Sequence, residues 1–139
     1  MNTNEKVSTI MTTGVITVDK NDHTLLDVKE IFRKEKIRHI PILSEDKLVG
    51  MISRNDIHRL SFGNMFEAQE GADEAIFEML TIDQVMTGKP VAVTSDNTIL
   101  EVATIFSEGN FHSLPVMDGE QIKGIVTSTD IIRYFLKHC

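Results

Sequence analysis

The chain has 139 residues, 41% hydrophobic and 25% charged, with a formal net charge of -7, so it can bury the core of one ordinary domain or of two packed half-domains. That acidic total excludes the broad basic stripe a nucleic-acid surface needs, though not a phosphate held in a small, locally basic pocket. One cysteine, Cys139, excludes an internal disulfide and a paired-cysteine metal site; the polar stretch Met1 to Lys6 and the lack of ~18 consecutive apolar residues point to a cytoplasmic chain with no membrane span.

The predicted elements begin after Ile10-Met11-Thr12. Val15 to Val18 alternates as a strand does, and Asp19 to Asp22 follows as a turn. Thr24-x-x-Asp27 resembles a capping box and predicts a helix with Leu25, Val28, Ile31 and Phe32 on its apolar face. Ile40-Pro41-Ile42-Leu43 reads as a strand, with Pro41 at its start or on an edge because proline supplies no ladder donor. An acidic turn, Ser44 to Lys47, leads to a second strand, Leu48 to Ile52, and a second helix starting near Ser53.

Residues 61–81 read as two short amphipathic helical pieces broken at Gly71. Phe62, Met65, Phe66, Ile76, Phe77, Met79 and Leu80 are their apolar residues, suited to packing on the body or meeting a second subunit. The series then starts again. Val85-Met86-Thr87 leads to a strand at Val91 to Val93, a Thr98-x-x-Glu101 box, and a helix with Ile99, Val102, Ile105 and Phe106 inward and Gly109 as its stop. Leu114-Pro115-Val116-Met117, a turn at Asp118 to Gln121, a strand Ile122 to Val126 and a helix from Thr127 complete it.

This recurrence is the main signal in the sequence. A constant offset carries Thr24 onto Thr98, Pro41 onto Pro115, Gly50 onto Gly124, Asp56-Ile57 onto Asp130-Ile131 and Arg59 onto Arg133 without a gap. Upstream the offset grows by one residue, matching Met11-Thr12 with Met86-Thr87. The fold class is therefore α/β (α+β): two β-α-β-β-α units, residues 7–60 and 82–136, joined by the 61–81 connector. One unit alone is too small to bury its helices and sheet well, so the two are expected to share a core.

Gly50 and Gly124 each end an apolar strand before a helix, where the lack of a Cβ would let a ligand approach the backbone. Ser53 and Thr127 follow at the helix N-terminus, where backbone N–H groups and the helix dipole favour an anion. Asp56 and Asp130 lie one turn on and suit a ribose diol. The same Ser/Thr-x-x-Asp pattern is also a helix cap, and the two roles are compatible.

Val7-x-x-Ile10-Met11-Thr12, Arg38-His39-Ile40-Pro41-Ile42 and Gly50-Met51-Ile52-Ser53-Arg54-Asn55-Asp56-Ile57 resemble one cystathionine-β-synthase (CBS) repeat. Ile82-x-x-Val85-Met86-Thr87, His112-Ser113-Leu114-Pro115-Val116 and Gly124-Ile125-Val126-Thr127-Ser128-Thr129-Asp130-Ile131 resemble a second. The resemblance implies a pseudo-twofold module, often a disc-shaped homodimer, with two clefts between the repeats. These commonly hold AMP, ADP or ATP, and less often S-adenosylmethionine or a dinucleotide. It also implies a regulatory role with no catalysis, here as a free-standing module acting on an effector protein in trans.

By that resemblance Ser53, Asp56, Thr127 and Asp130 contact ribose and phosphate, and Arg38, His39 and His112 reach phosphates. Arg54 makes the first site the more cationic, against Ser113 and Ser128 in the second. The backbone and side chains at Ile40-Pro41 and Leu114-Pro115, with Ile16 and Val91, would flank an adenine or simply pack. Thr17 becomes Ala92 in the second repeat, so the sites are not equivalent. No hydrolase, P-loop, zincin or Rossmann signature is present, and the five histidines have no metal-ligand spacing. The rival readings are a ligandless dimerisation or interaction module, and a sensor of S-adenosylmethionine or NADH.

Overall fold

A computed structural model describes residues 4–62 and 72–139; Met65, Phe66, Gly71 and the Phe62 side chain, all assigned above to the connector, lie outside what it describes. Two compact units emerge, and they are not the two sequence repeats. The first unit is Ile16–Lys89; the second joins residues 4–15 to Pro90–Cys139. Each repeat's leading Met-Thr segment therefore packs in the unit that holds the other repeat's sheet.

The first unit contains β1 (Val18–Asp19), α1 (Leu25–Lys34), β2 (His39–Ser44), β3 (Lys47–Ser53), α2 (Arg54–Phe62), α3 (Ala72–Met79), α4 (Ile82–Val85) and β4 (Thr87–Gly88). Its sheet runs β1-β2-β3-β4, parallel between β1 and β2 and antiparallel elsewhere. The second unit opens with a 3-10 turn at Val7–Thr9 and continues as β5 (Val93–Thr94), α5 (Ile99–Glu108), β6 (Ser113–Asp118), β7 (Gln121–Thr127) and α6 (Ser128–His138). Its strands follow the order β5-β6-β7, and a bridge from Thr12 to Ile125 takes the place of β4.

The capping boxes form as the spacing predicts. Asp27 N–H donates to Thr24 Oγ1 at 3.3 Å and Thr24 N–H to Asp27 Oδ2 at 2.9 Å; Glu101 and Thr98 repeat the exchange at 3.1 and 2.9 Å. Both helices then turn their apolar stripes inward. Leu25, Val28 and Phe32 meet Ile40, Ile42 and Ile52 in one core, and Ile99 and Val102 meet Leu114, Val116 and Val126 in the other. Phe77 is buried in the first core, so α3 packs on the body of its own unit, while Met79 is exposed.

Pro41 and Pro115 are the third residues of β2 and β6, inner strands with a neighbour on each side, rather than at a strand start or on an edge strand. Proline has no N–H, so its pairing with Met51 must be the non-bonded kind, and its nitrogen turns toward β1. The β1 ladder accordingly begins only at Ile42, and β5's only at Val116. This shortens the strands expected at Val15 to Val18 and Val91 to Val93 to two residues each. Gly109 does cap α5, but with an extended φ of -111° rather than a left-handed one; Phe111 packs where a Cβ would stand.

Gly50 and Gly124 are the positions where lack of a side chain matters most. A Cβ on Gly124 would stand 2.6 Å from the Thr12 carbonyl oxygen and 2.7 Å from Met11 Sδ. One on Gly50 would strike Met86 Sδ and lie 3.1 Å from the Thr87 carbonyl oxygen. What comes close to these glycines is the Met-Thr leader, where the sequence suggested a ligand. Gly124→Ala should therefore destabilise the chain by about 1–3 kcal/mol, as overpacking does. Gly88→Ala, with open space and ordinary φ, should stay within about 0.5 kcal/mol. Urea unfolding of the two variants measures the contrast.

The Thr98 cap also has a pH signature. Hydrogen bonding from the Thr98 backbone N–H, then from its side chain, lowers the Glu101 pKa below its ordinary 4.5. A carboxylate depressed in the folded state adds stability that is complete above its unfolded pKa and lost as pH falls through the folded one. Glu101→Gln should lower stability most at neutral pH, where the ionised side chain's contribution is complete, and flatten the acid limb of a pH-dependent melting curve below about pH 4.5, where variant and parent converge.

Candidate functional site

The strand register assembles the same constellation in each unit. Antiparallel pairing sets His39 opposite Ser53, and Arg54 N–H donates to the Arg38 carbonyl at 2.8 Å. In the second unit Ser113 stands opposite Thr127, and Ser128 N–H donates to the His112 carbonyl at 3.0 Å. The start of β2 or β6 thus meets the first turn of α2 or α6 at one end of the sheet. Thr17 and Ala92 come just before Val18 and Val93, whose partners are Ile42 and Val116, so they approach the same end.

The Ser/Thr-x-x-Asp pairs are reciprocal caps. Asp56 N–H donates to Ser53 Oγ at 3.1 Å, and Ser53 N–H to Asp56 Oδ2 at 2.8 Å. Thr127 and Asp130 match them at 3.1 and 2.9 Å. Both aspartates are half-buried. Each cap uses one carboxylate oxygen, and the other differs between the units. Asp56 Oδ1 accepts from the exposed Arg59 guanidinium at 2.7 Å. Asp130 Oδ1 has no protein partner among the described residues. The Arg59 contact was missed in the sequence, although its i,i+3 spacing from Asp56 signals it.

Three expectations need correction. The Arg54 guanidinium is spent on main-chain oxygens: it donates to Ile37 at 3.0 Å and to Phe32 and Glu35 at 2.9 Å each, while lying over the Phe32 ring. These carbonyls close the C-terminal end of α1, which attracts a cation, so Arg54 is a clamp on that helix. Ile40 and Leu114 send their side chains into the two cores and leave only their backbones at the site. Gly50 and Gly124 are covered by the leaders described above. Of the other predicted positions, Arg38, His112 and Val91 are exposed, Thr17, His39, Ser113 and Ser128 are half-buried, and Pro41 and Pro115 are buried.

With this geometry in place, a family model for the CBS domain matches residues 7–63 and 82–137. The chain belongs to the CBS domain family. The uncharacterized protein MJ1426 of Methanocaldococcus jannaschii is 31% identical to it, over 91% of this chain and 88% of that protein. MJ0188 of the same organism is 32% identical over 92% of this chain, which spans only 43% of that relative's length. Among solved structures, the CBS domain pair of protein MJ0100, in complex with 5′-methylthioadenosine and S-adenosyl-L-methionine, superposes with a TM-score of 0.76 at 29% identity. That match covers 96% of this chain and 98% of the other. CBSX2 in complex with AMP has a TM-score of 0.75 at 22% identity and shows the shared fold.

Among the described residues no helix is long and apolar enough to cross a membrane, and no cluster of three or more His, Cys, Asp or Glu is placed to hold a metal. Arg54 matters to the fold through its clamp on the end of α1. Arg54→Ala should cost about 2 kcal/mol, the scale of charged hydrogen bonds lost from a half-buried cluster. Arg54→Lys should recover less than half of that, because one ammonium cannot reproduce a planar fork reaching three carbonyls. Chemical denaturation of both variants measures the difference.

Proposed function

We propose that this CBS pair is a non-catalytic regulatory module that binds an adenosine-bearing small molecule, with AMP, ADP or ATP as the foremost class. The observation that carries the reading is the doubled cap, Ser53 with Asp56 and Thr127 with Asp130, set at the same sheet end in both units. A carboxylate anchored through one oxygen is pre-oriented to accept from a ribose diol with the other. The helix N-terminus beside it offers N–H groups to a phosphate. MJ0100, which binds adenosine compounds on this fold at 29% identity, supports the adenosine component. S-adenosylmethionine and NADH share that component and are the alternative ligands.

The residues assigned to the ligand are Asp56 and Asp130 for ribose, and Ser53, Thr127, Thr17 and Ser128 as hydroxyl donors. Arg38, His39, His112 and Ser113 face phosphate, and the backbones at Ile40-Pro41 and Leu114-Pro115, with Val91, flank the base. Removing Arg54 from this set narrows the basic difference between the sites to Arg38-His39 against His112-Ser113. Asp130, unlike Asp56, needs no ion pair broken before it accepts a ribose, so the second unit is the one filled first. The module would act in the cytoplasm, on an effector protein in trans. A homodimer is supported by Ile132 and Leu136, 57% and 74% exposed and one turn apart on α6.

Thermal melts with AMP, ADP, ATP, S-adenosylmethionine, 5′-methylthioadenosine and NADH test the reading. A ligand at about 100 times its Kd stabilises by about 2.7 kcal/mol, which raises Tm by roughly 10 °C for a chain of this size. Asp130→Asn keeps a cap acceptor and should lose most of that shift, while Asp56→Asn should lose less. A flat response to every adenosine compound would leave the ligandless interaction module as the function.

A further inference from the structure

The second unit carries a cavity of about 400 Å³ beside α6 whose chemistry the adenosine reading leaves unused. It touches that reading at Asp130 and runs from there along the helix to His138. Asp130, Arg133, Tyr134, Lys137 and His138 all line it, at the i, i+3, i+4, i+7 and i+8 positions that form one helical stripe. Glu5, Thr9 and Ile10, from the leader segment, complete its lining.

The chain's own duplication supplies a control. The positions of Glu5 and Tyr134 correspond to Leu80 and Leu60, and in the first unit these two leucines pack against the apolar core. In the second unit the same place holds a polar pair: the Tyr134 hydroxyl donates to Glu5 Oε2 at 2.6 Å, with Tyr134 only 5% exposed. That bond raises the tyrosine's pKa, so the phenol keeps its proton and holds Glu5 against the cavity wall. The cations differ as well. Arg59 is paired to Asp56, whereas among the described residues its counterpart Arg133 makes no ion pair, and neither does Lys137. His138 stacks on Tyr134 with ring centroids 4.3 Å apart, which places a third nitrogen-bearing group at the far end.

Two unspent cations one turn apart suit a phosphate, and the His138 ring N–H adds a donor. The second oxygen of the Glu5 carboxylate suits a hydroxyl of the same molecule, because an ionised carboxylate only accepts. The volume falls in the range of small-molecule sites. We propose that this cavity is a second ligand site, for a small phosphorylated polyol held by Arg133, Lys137 and His138 at its phosphate and by Glu5 at its hydroxyls.

Glycerol 3-phosphate and inorganic phosphate are the probes, added to the full chain and followed by calorimetry and by the His138 ring signals in NMR. The expected result is binding of both, tighter for glycerol 3-phosphate. Affinity should fall at least about tenfold in Arg133→Ala/Lys137→Ala, as charged hydrogen bonds are lost, while the melting response to AMP is kept. Glu5→Leu/Tyr134→Leu, which installs the first unit's leucines, should fold and lose the preference for glycerol 3-phosphate. Absence of binding by either probe, or binding unchanged in Arg133→Ala/Lys137→Ala, overturns the site. Binding of glycerol 3-phosphate by a chain that answers to no adenosine compound supports it and removes the adenosine reading alone.

Discussion

The crossing of a Met-Thr leader over a strand glycine is the constraint on which the rest of this molecule depends. A strand residue with any side chain would hold the leader away, because a Cβ at Gly124 would meet the Thr12 carbonyl and Met11 sulfur well inside contact distance. With glycine there, Thr12 and Ile125 exchange hydrogen bonds of 2.8 and 3.0 Å between their main chains. The leader is further stitched to the start of α5: Val7 N–H donates to the Asn97 carbonyl, and Ile99 N–H to that of Glu5, both at 2.8 Å. Val7 is fully buried in that unit's core. The first unit repeats the device with Met86, Thr87 and Gly50, and Lys20 adds an ion pair to Asp83. Because each leader comes from the other repeat, neither repeat completes its sheet with its own residues alone.

That frame leaves one end of each sheet for chemistry. The β2–β3 and β6–β7 registers bring a basic or hydroxyl-bearing dipeptide beside a capped helix start, and the prolines keep the neighbouring short strand from sealing the backbone edge. Duplication produced two such ends, and divergence then made them unequal. In one, Arg59 occupies the aspartate's second oxygen and Arg54 clamps α1; in the other, Ser128 stands at the Arg54 position and the aspartate's second oxygen has no protein partner among the described residues. The matching caps point to a shared ligand chemistry, and the residues that differ between equivalent positions set the two ends apart.

Much of this was legible in the residues. The repeat, the helix caps at Thr24 and Thr98, the inward faces of both helices and the hairpins between apolar runs all rest on local rules of spacing and capping that need no partner. The first hairpin even closes on Glu45 and Asp46, both with positive φ, as a tight two-residue turn of a twisted ribbon requires. The role of Gly50 was legible in part: a close approach was foreseen, but the approaching group lies far along the chain and nothing in the strand names it. Arg54 misled for the same reason. An arginine beside a helix start looks like an anion ligand until the three carbonyls at the end of α1 are brought to it.

What the sequence determined by itself was the doubled β-α-β-β-α order, the family and the short list of hydroxyl and carboxylate positions, because periodicity, caps and motif spacing are properties of neighbours within a few residues. What only the tertiary structure decided was which side chains share a wall. It exchanged the leaders between units, sent Ile40 and Leu114 into the cores, spent Arg54 on a helix end, and joined Glu5 to Tyr134 across the length of the chain. Those contacts depend on backbone clearance and on which charges and polar groups the fold brings within bonding distance, and both arise only once the strands are paired.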